Sequence, residues 1–173
     1  MARTLIPLAQ GCEELEAVTI IDLLRRAGIE VVTAGLDSGP VKASRGVMLL
    51  PDTNIDAVMN DQFDMIVLPG GLPGADHLNA DSRIHELLNR TQAAGGYTAA
   101  ICAAPKVLAS AGLLDGREAT AYPGVIDGLM TENSRLLADA VVTDGKVVTS
   151  RGPGTAMDFA LTLIERLLGA DKR

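Results

Sequence analysis

Short apolar runs alternate along this chain with stretches whose apolar residues recur at helical spacing, and that alternation constrains the fold more than any other feature. Residues 4–9 read as a buried strand, residues 16–27 as a helix with Val18, Ile21, Leu24 and Arg25 in step and Gly28 closing it, and residues 29–34 as a second strand. A strand, a helix and a strand joined by short links make a right-handed parallel crossover. Residues 65–68 form a strongly apolar strand that breaks into a glycine-rich turn over 69–74, ahead of an amphipathic helix over 82–94. A strand over 97–101 and a helix over 103–111, ended by Gly112, follow. The last helix, 155–168, carries Ala156, Ala160, Leu163, Ile164 and Leu167 on one side, a face suited to burial against a sheet. Hairpin patterns interrupt the alternation over 41–51 and around Asp144-Gly145. The expected architecture is α/β, an open and mostly parallel sheet with helices on both faces.

With 173 residues and 47% hydrophobic content the chain can bury one substantial core, so a single domain over 1–173 is expected. No apolar run approaches the roughly 20 residues that cross a bilayer, because charged residues or glycine interrupt each one. The two cysteines make no disulfide framework, and no basic segment with a long apolar stretch opens the chain, which points to a reducing, cytoplasmic location. A net charge of -7 opposes the attraction that drives nucleic-acid binding, and 2% aromatic content leaves few stacking platforms.

In an open α/β sheet, ligands bind beyond the carboxyl ends of the strands. The turn over 69–74 and Cys102 both follow core strands and so belong side by side on that rim. Cys102 stands where a strand ends and a helix begins, a position where backbone N–H groups and the helix dipole favour thiolate, the reactive form of cysteine. A small buried hydrophobe is the competing reading. Gly70 and Gly71 either make a tight turn or offer N–H donors to a developing oxyanion. The spacing of Gly-Gly-Leu-Pro-Gly does not make a dinucleotide fingerprint. Glu13, Glu14 and Glu16 occupy the first strand-to-helix passage, where carboxylates ordinarily stabilise the helix dipole. One turned inward beside a thiolate would be driven towards its protonated form and could donate a proton.

Four segments, Gly11-Cys12-Glu13-Glu14-Leu15-Glu16-Ala17-Val18, Val67-Leu68-Pro69-Gly70-Gly71, Ala99-Ala100-Ile101-Cys102-Ala103-Ala104-Pro105 and Thr149-Ser150-Arg151-Gly152-Pro153-Gly154-Thr155, resemble the DJ-1/PfpI superfamily, most of all its DJ-1 and YajL (ThiJ-like) branch. The resemblance runs in order over nearly the whole chain. It implies a flavodoxin-like three-layer sandwich and a homodimer. It also implies that Cys102 is the reactive cysteine, that Glu16 is the protonated carboxyl hydrogen-bonded to it, and that Gly70, Gly71 and Ala103 supply the surrounding backbone donors. Arg45 matches an arginine that relatives place near the dimer interface and active site, and Arg151 lies in a matched motif before the last helix.

Tyr122 stands where DJ-1 has a histidine, and Ala103 rather than histidine follows the cysteine, which argues against a protease triad. His77 and His85 fall where solvent exposure is the ordinary outcome, and no ligand spacing marks a metal site. Cys12 is either a filler in its turn or a redox partner of oxidised Cys102. Two functions follow as expectations. One is a cofactor-independent glyoxalase III or deglycase-like enzyme, a hydro-lyase or hydrolase, in which Cys102 adds to a small aldehyde such as methylglyoxal and Glu16 shuttles protons. The other is a redox sensor or redox-regulated chaperone whose output is the oxidation state of Cys102. Nothing in the residues supports the thiamine-precursor role that the ThiJ name suggests.

Overall fold

The computed structural model describes residues 1–173. Its elements run β1 (Arg3–Leu8), α1 (Glu14–Arg26), β2 (Glu30–Gly35), β3 (Val41–Lys42), β4 (Met48–Leu49), β5 (Thr53–Asn54), β6 (Met65–Leu68), α2 (Leu72–Ala80), α3 (Ser82–Ala93), β7 (Tyr97–Ile101), α4 (Pro105–Ser110), β8 (Glu118–Ala119), β9 (Arg135–Leu136), β10 (Val141–Asp144), β11 (Val147–Ser150) and α5 (Ala156–Leu168). Seven strands form the main sheet in the order β10-β11-β7-β6-β1-β2-β5. Every neighbouring pair in it is parallel except β10 with β11, the hairpin turned at Asp144-Gly145. This is a flavodoxin-like α/β fold.

Strand residues alternate between two apolar clusters, because successive side chains leave opposite faces of a pleated sheet. Leu5, Ile66, Leu68, Ala100 and Val147 pack with α2, α3 and α4 on one face. Ile6, Leu8, Val67, Ala99, Ile101 and Val148 pack with α1 and α5 on the other. Burial on both faces is why the central strands read as nearly continuous apolar runs.

The buried side of α1 is Glu16, Ala17, Ile20 and Leu24, so the expected stripe through Val18 and Ile21 is displaced. Val18 stays 47% exposed. The helix has apolar residues on more than one side, and docking against α5 and the sheet selects the side that turns Glu16 inward. A helix over Leu72–Ala80 was not expected from the Pro-Gly pattern. Pro73 sits in its first turn, where a missing N–H costs nothing. Gly74 is there because a β-carbon would lie 2.7 Å from the Cys12 backbone. The two-residue strands β5, β8 and β9 are too short to show a period.

Candidate functional site

Cys102 is the only non-glycine residue with positive φ, at 64°. That region is costly for side chains with a β-carbon and persists only where the surroundings enforce it. They do so here through the backbone. The Cys102 N–H donates to Ser150 O at 3.0 Å, and the Cys102 carbonyl accepts from Tyr122 N–H at 2.9 Å. The side chain, half-buried at the carboxyl end of β7, has the Glu16 carboxyl and the N–H groups of Gly71 and Ala103 within hydrogen-bonding reach of its sulfur.

Glu16 is fully buried on α1. Its Oε2 accepts the Gly70 N–H at 2.8 Å. Its Oε1 is buried without a donor of its own, and the Cys102 thiol is the partner its carboxyl faces. Burial pushes this carboxyl up to about 7, against the Gly70 and Cys102 hydrogen bonds and with help from the charge of Glu13. Burial, then the Glu16 charge and hydrogen bond, push the Cys102 thiol up to about 12, outweighing the Gly71 and Ala103 donors. While Glu16 is ionised, desolvation and its charge outweigh the start of the six-residue α4, so the backbone donors favour thiolate only when Glu16 holds the proton. The two groups titrate as one unit. Above about pH 7 the pair holds one proton fewer than when fully protonated. The value near 12 belongs to a thiol that faces an already ionised Glu16.

The glycine turn fits this pair closely. A β-carbon on Gly70 would lie 2.5 Å from Glu16 Oε2, and one on Gly71, at φ 90°, would lie 2.5 Å from Gly11 O and 2.6 Å from Glu13 N. The turn is also stitched to the loop after β1, since Glu13 N–H donates to Gly70 O at 2.9 Å. Gly70, Gly71 and Ala103 are thus all at the site, with one correction. The Gly70 N–H is taken by Glu16, so the donors aimed at sulfur are Gly71 and Ala103.

The remaining residues divide between two grooves. Arg45 is exposed and lines one of about 520 Å³ with Glu13, Ser44 and Gly71. The Ser44 hydroxyl, which the sequence did not single out, shares its one proton between Glu13 at 2.8 Å and Glu14 at 3.0 Å, and the Arg45 N–H donates to Glu14 at 2.9 Å. Glu13 and Glu14 thereby face the β3–β4 hairpin while Glu16 faces inward. Tyr122 and Arg151 line a separate groove of about 300 Å³. A larger groove of about 660 Å³, between Phe63, Tyr97, Lys146 and Arg166, lies at the opposite ends of the strands from Cys102. Cys12 is 1% exposed within the α1/α5 cluster, and burial pushes its thiol up to about 11. His77 is exposed, whereas His85 is half-buried with its Nε2 2.8 Å from Asn79 O. No group of three or more His, Cys, Asp and Glu side chains is arranged to hold a metal ion.

The family description DJ-1/PfpI family matches residues 2–166. Protein dj-1beta of Drosophila melanogaster is 47% identical over 169 residues, covering 97% of this chain and 90% of that protein. The glutathione-independent glyoxalase DJR-1.2 of Caenorhabditis elegans is 40% identical over 164 residues, covering 94% of this chain and 87% of that protein. Among solved structures, Drosophila melanogaster DJ-1beta superposes with a TM-score of 0.94 at 46% identity, over 99% of this chain and 92% of that one. An oxidised Toxoplasma gondii DJ-1 superposes with a TM-score of 0.94 at 42% identity, over 99% and 94%.

Proposed function

This chain belongs to the DJ-1/PfpI family, and from that premise we propose that it is a cysteine-dependent enzyme acting on small reactive carbonyls without a cofactor. The observation that carries this reading is the fully buried Glu16 carboxyl facing the sulfur of a residue held at φ 64°. When Glu16 keeps the proton that the pair shares, the charge sits on sulfur, and Gly71 and Ala103 donate to it. The name of the worm relative, a glutathione-independent glyoxalase, supports the same chemistry.

In this mechanism the Cys102 thiolate attacks the aldehyde carbon of a 2-oxoaldehyde. A carbon–sulfur bond forms, and the carbonyl π pair moves to oxygen, which takes the Glu16 proton. The Glu16 carboxylate then removes the hydrogen of that carbon as a proton and returns it to the neighbouring carbon, while the hydroxyl proton moves to the ketone oxygen through an enediol. The product is a 2-hydroxyacyl thioester. Water hydrolyses it, releasing the hydroxy acid and restoring the thiol. One carbon is oxidised as its neighbour is reduced, so no external redox partner enters. With methylglyoxal, Cys102→Ser and Glu16→Gln should each abolish lactate formation; unchanged turnover in either variant ends the mechanism.

The same geometry favours a second reading, redox sensing. The N–H donors of Gly71 and Ala103 and a protonated Glu16 would also hold the oxygens of a sulfinate. Mild peroxide followed by intact mass separates the two: two added oxygens at Cys102 without carbonyl turnover favour the sensor, and turnover with resistance to oxidation favours the enzyme.

The assembly in this reading is a homodimer in the reducing cytoplasm. Leu15 and Val18 on α1 and Val47 and Met48 on the hairpin are exposed apolar residues, and Ser44 ties that hairpin to Glu13 and Glu14 beside them. Both cysteines are free thiols, and no helix is long and apolar enough to cross a membrane.

A further inference from the structure

We infer that the groove between Tyr122 and Arg151 is a subsite for a carboxylate, which makes Arg151 a specificity residue that draws 2-oxoaldehydes carrying a carboxylate to Cys102. The inference rests on the reading that Cys102 is reactive.

The placement comes from the backbone. The carbonyl of Cys102 is held by the N–H of Tyr122, and its N–H is held by the carbonyl of Ser150, the residue before Arg151. The peptide of the cysteine is therefore clasped between the two chain segments that wall this groove. The groove, of about 300 Å³, is lined by Ala121, Tyr122, Leu136, Leu137, Asp127 and Arg151 among others, which makes it apolar with few polar groups. That composition and volume suit a small ligand oriented by one or two polar contacts.

The guanidinium of Arg151 is the unspent charge in this groove. It is half-buried and donates only to the carbonyl of Ala138, at 3.2 Å, with no carboxylate paired to it. Elsewhere in the chain, arginines such as Arg3, Arg25 and Arg83 are bound to carboxylates at 2.6–2.9 Å. A planar fork of N–H donors without an acid partner, at the rim of an apolar groove, is suited to a carboxylate. Asp127, in the same groove, forms no ion pair with Arg151 and weakens the local positive potential. The Tyr122 ring packs over the backbone of Gly152, where a β-carbon would sit 3.4 Å from the ring, and it is 53% exposed. A positive subsite also offsets the repulsion that the Glu16–Cys102 charge imposes on an incoming anion.

Iodoacetate and iodoacetamide differ in charge but form the same carbon–sulfur bond with loss of iodide, so the ratio of their alkylation rates at Cys102 reads anion selection separately from turnover. At low salt the ratio should fall about tenfold in Arg151→Gln, rise in Asp127→Asn and persist in Arg151→Lys, a charge effect of the size expected at a partly screened site. In the unmodified protein the ratio should drop as salt is raised, and in Arg151→Gln it should not. A ratio unchanged by Arg151→Gln and insensitive to salt, with both reagents alkylating Cys102, overturns the inference. If neither reagent touches Cys102, the reactive-cysteine reading fails by itself, and the subsite is decided by glyoxylate binding to Cys102→Ser protein: binding lost on adding Arg151→Gln sustains it, and no binding overturns it.

Discussion

A β-carbon placed on Gly70 would lie 2.6 Å from the Cβ of Cys102, closer than two such carbons approach in any relaxed structure. The glycine therefore sets the distance between the turn after β6 and the residue after β7. Gly70→Ala should push these segments apart, lower the rate of Cys102 alkylation by at least about tenfold and destabilise the fold by roughly 1–3 kcal/mol, as overpacking does. Alkylation at the unmodified rate would show that the turn does not position the sulfur.

The Glu16 carboxyl is pushed up to about 7 in the fold, whereas an unfolded glutamate titrates near about 4.3. Between those values the folded state binds the extra proton, so the contribution of the Glu16–Cys102 unit to stability is whole below about pH 4 and is lost as pH rises through 7. The unfolding free energy from urea titration should thus fall for the unmodified protein relative to Glu16→Gln between about pH 5 and about pH 9, by roughly 3 kcal/mol. Parallel stability curves for the two proteins would mean that the Glu16–Cys102 unit binds no extra proton in the fold.

The pair also predicts a reactivity profile. The first proton leaves the Glu16–Cys102 unit near pH 7, and in the proposed mechanism it leaves sulfur. Iodoacetamide alkylation of Cys102 should rise in a step near pH 7 in the unmodified protein, and Glu16→Gln should remove that step. A rate that rises only above about pH 9 would place the charge on Glu16 and return Cys102 to a thiol, as its value near 12 describes.

Cys12 should not react in native solution. It is 1% exposed and its thiol is raised to about 11. Mass spectrometry after brief iodoacetamide treatment should find the label on Cys102 alone, and Cys12→Ala should leave the peroxide response of Cys102 unchanged. A Cys12–Cys102 disulfide after peroxide would instead make Cys12 the resolving partner.

The exposed side of α1 gives the last prediction. Val18→Glu should convert a dimer to a monomer in light scattering while leaving the far-ultraviolet circular dichroism unchanged, because Val18 takes no part in the core. A monomeric unmodified protein would remove the proposed assembly.

Alternation of strands and helices, the hairpin at Asp144-Gly145 and the station of Cys102 after a core strand are all written locally, in apolar periods and turn residues within a few positions of one another. Those were legible. The three glutamates were not separable on that basis: Glu13, Glu14 and Glu16 lie within four residues, and the family resemblance rather than periodicity selected Glu16. The structure turns Glu13 and Glu14 towards Ser44 and Arg45, and Glu16 towards Gly70, because the facing of a helix depends on what it docks against. The positive φ of Cys102, its raised thiol and the groove shared by Tyr122 and Arg151 arise in the same way. Each depends on bonds or burial between segments far apart in the chain. Sequence by itself determined which residues reach the carboxyl rim of the sheet, since local pattern sets strand ends; tertiary packing alone decided which of them meet and how they hold a proton, since burial and orientation are set by distant neighbours.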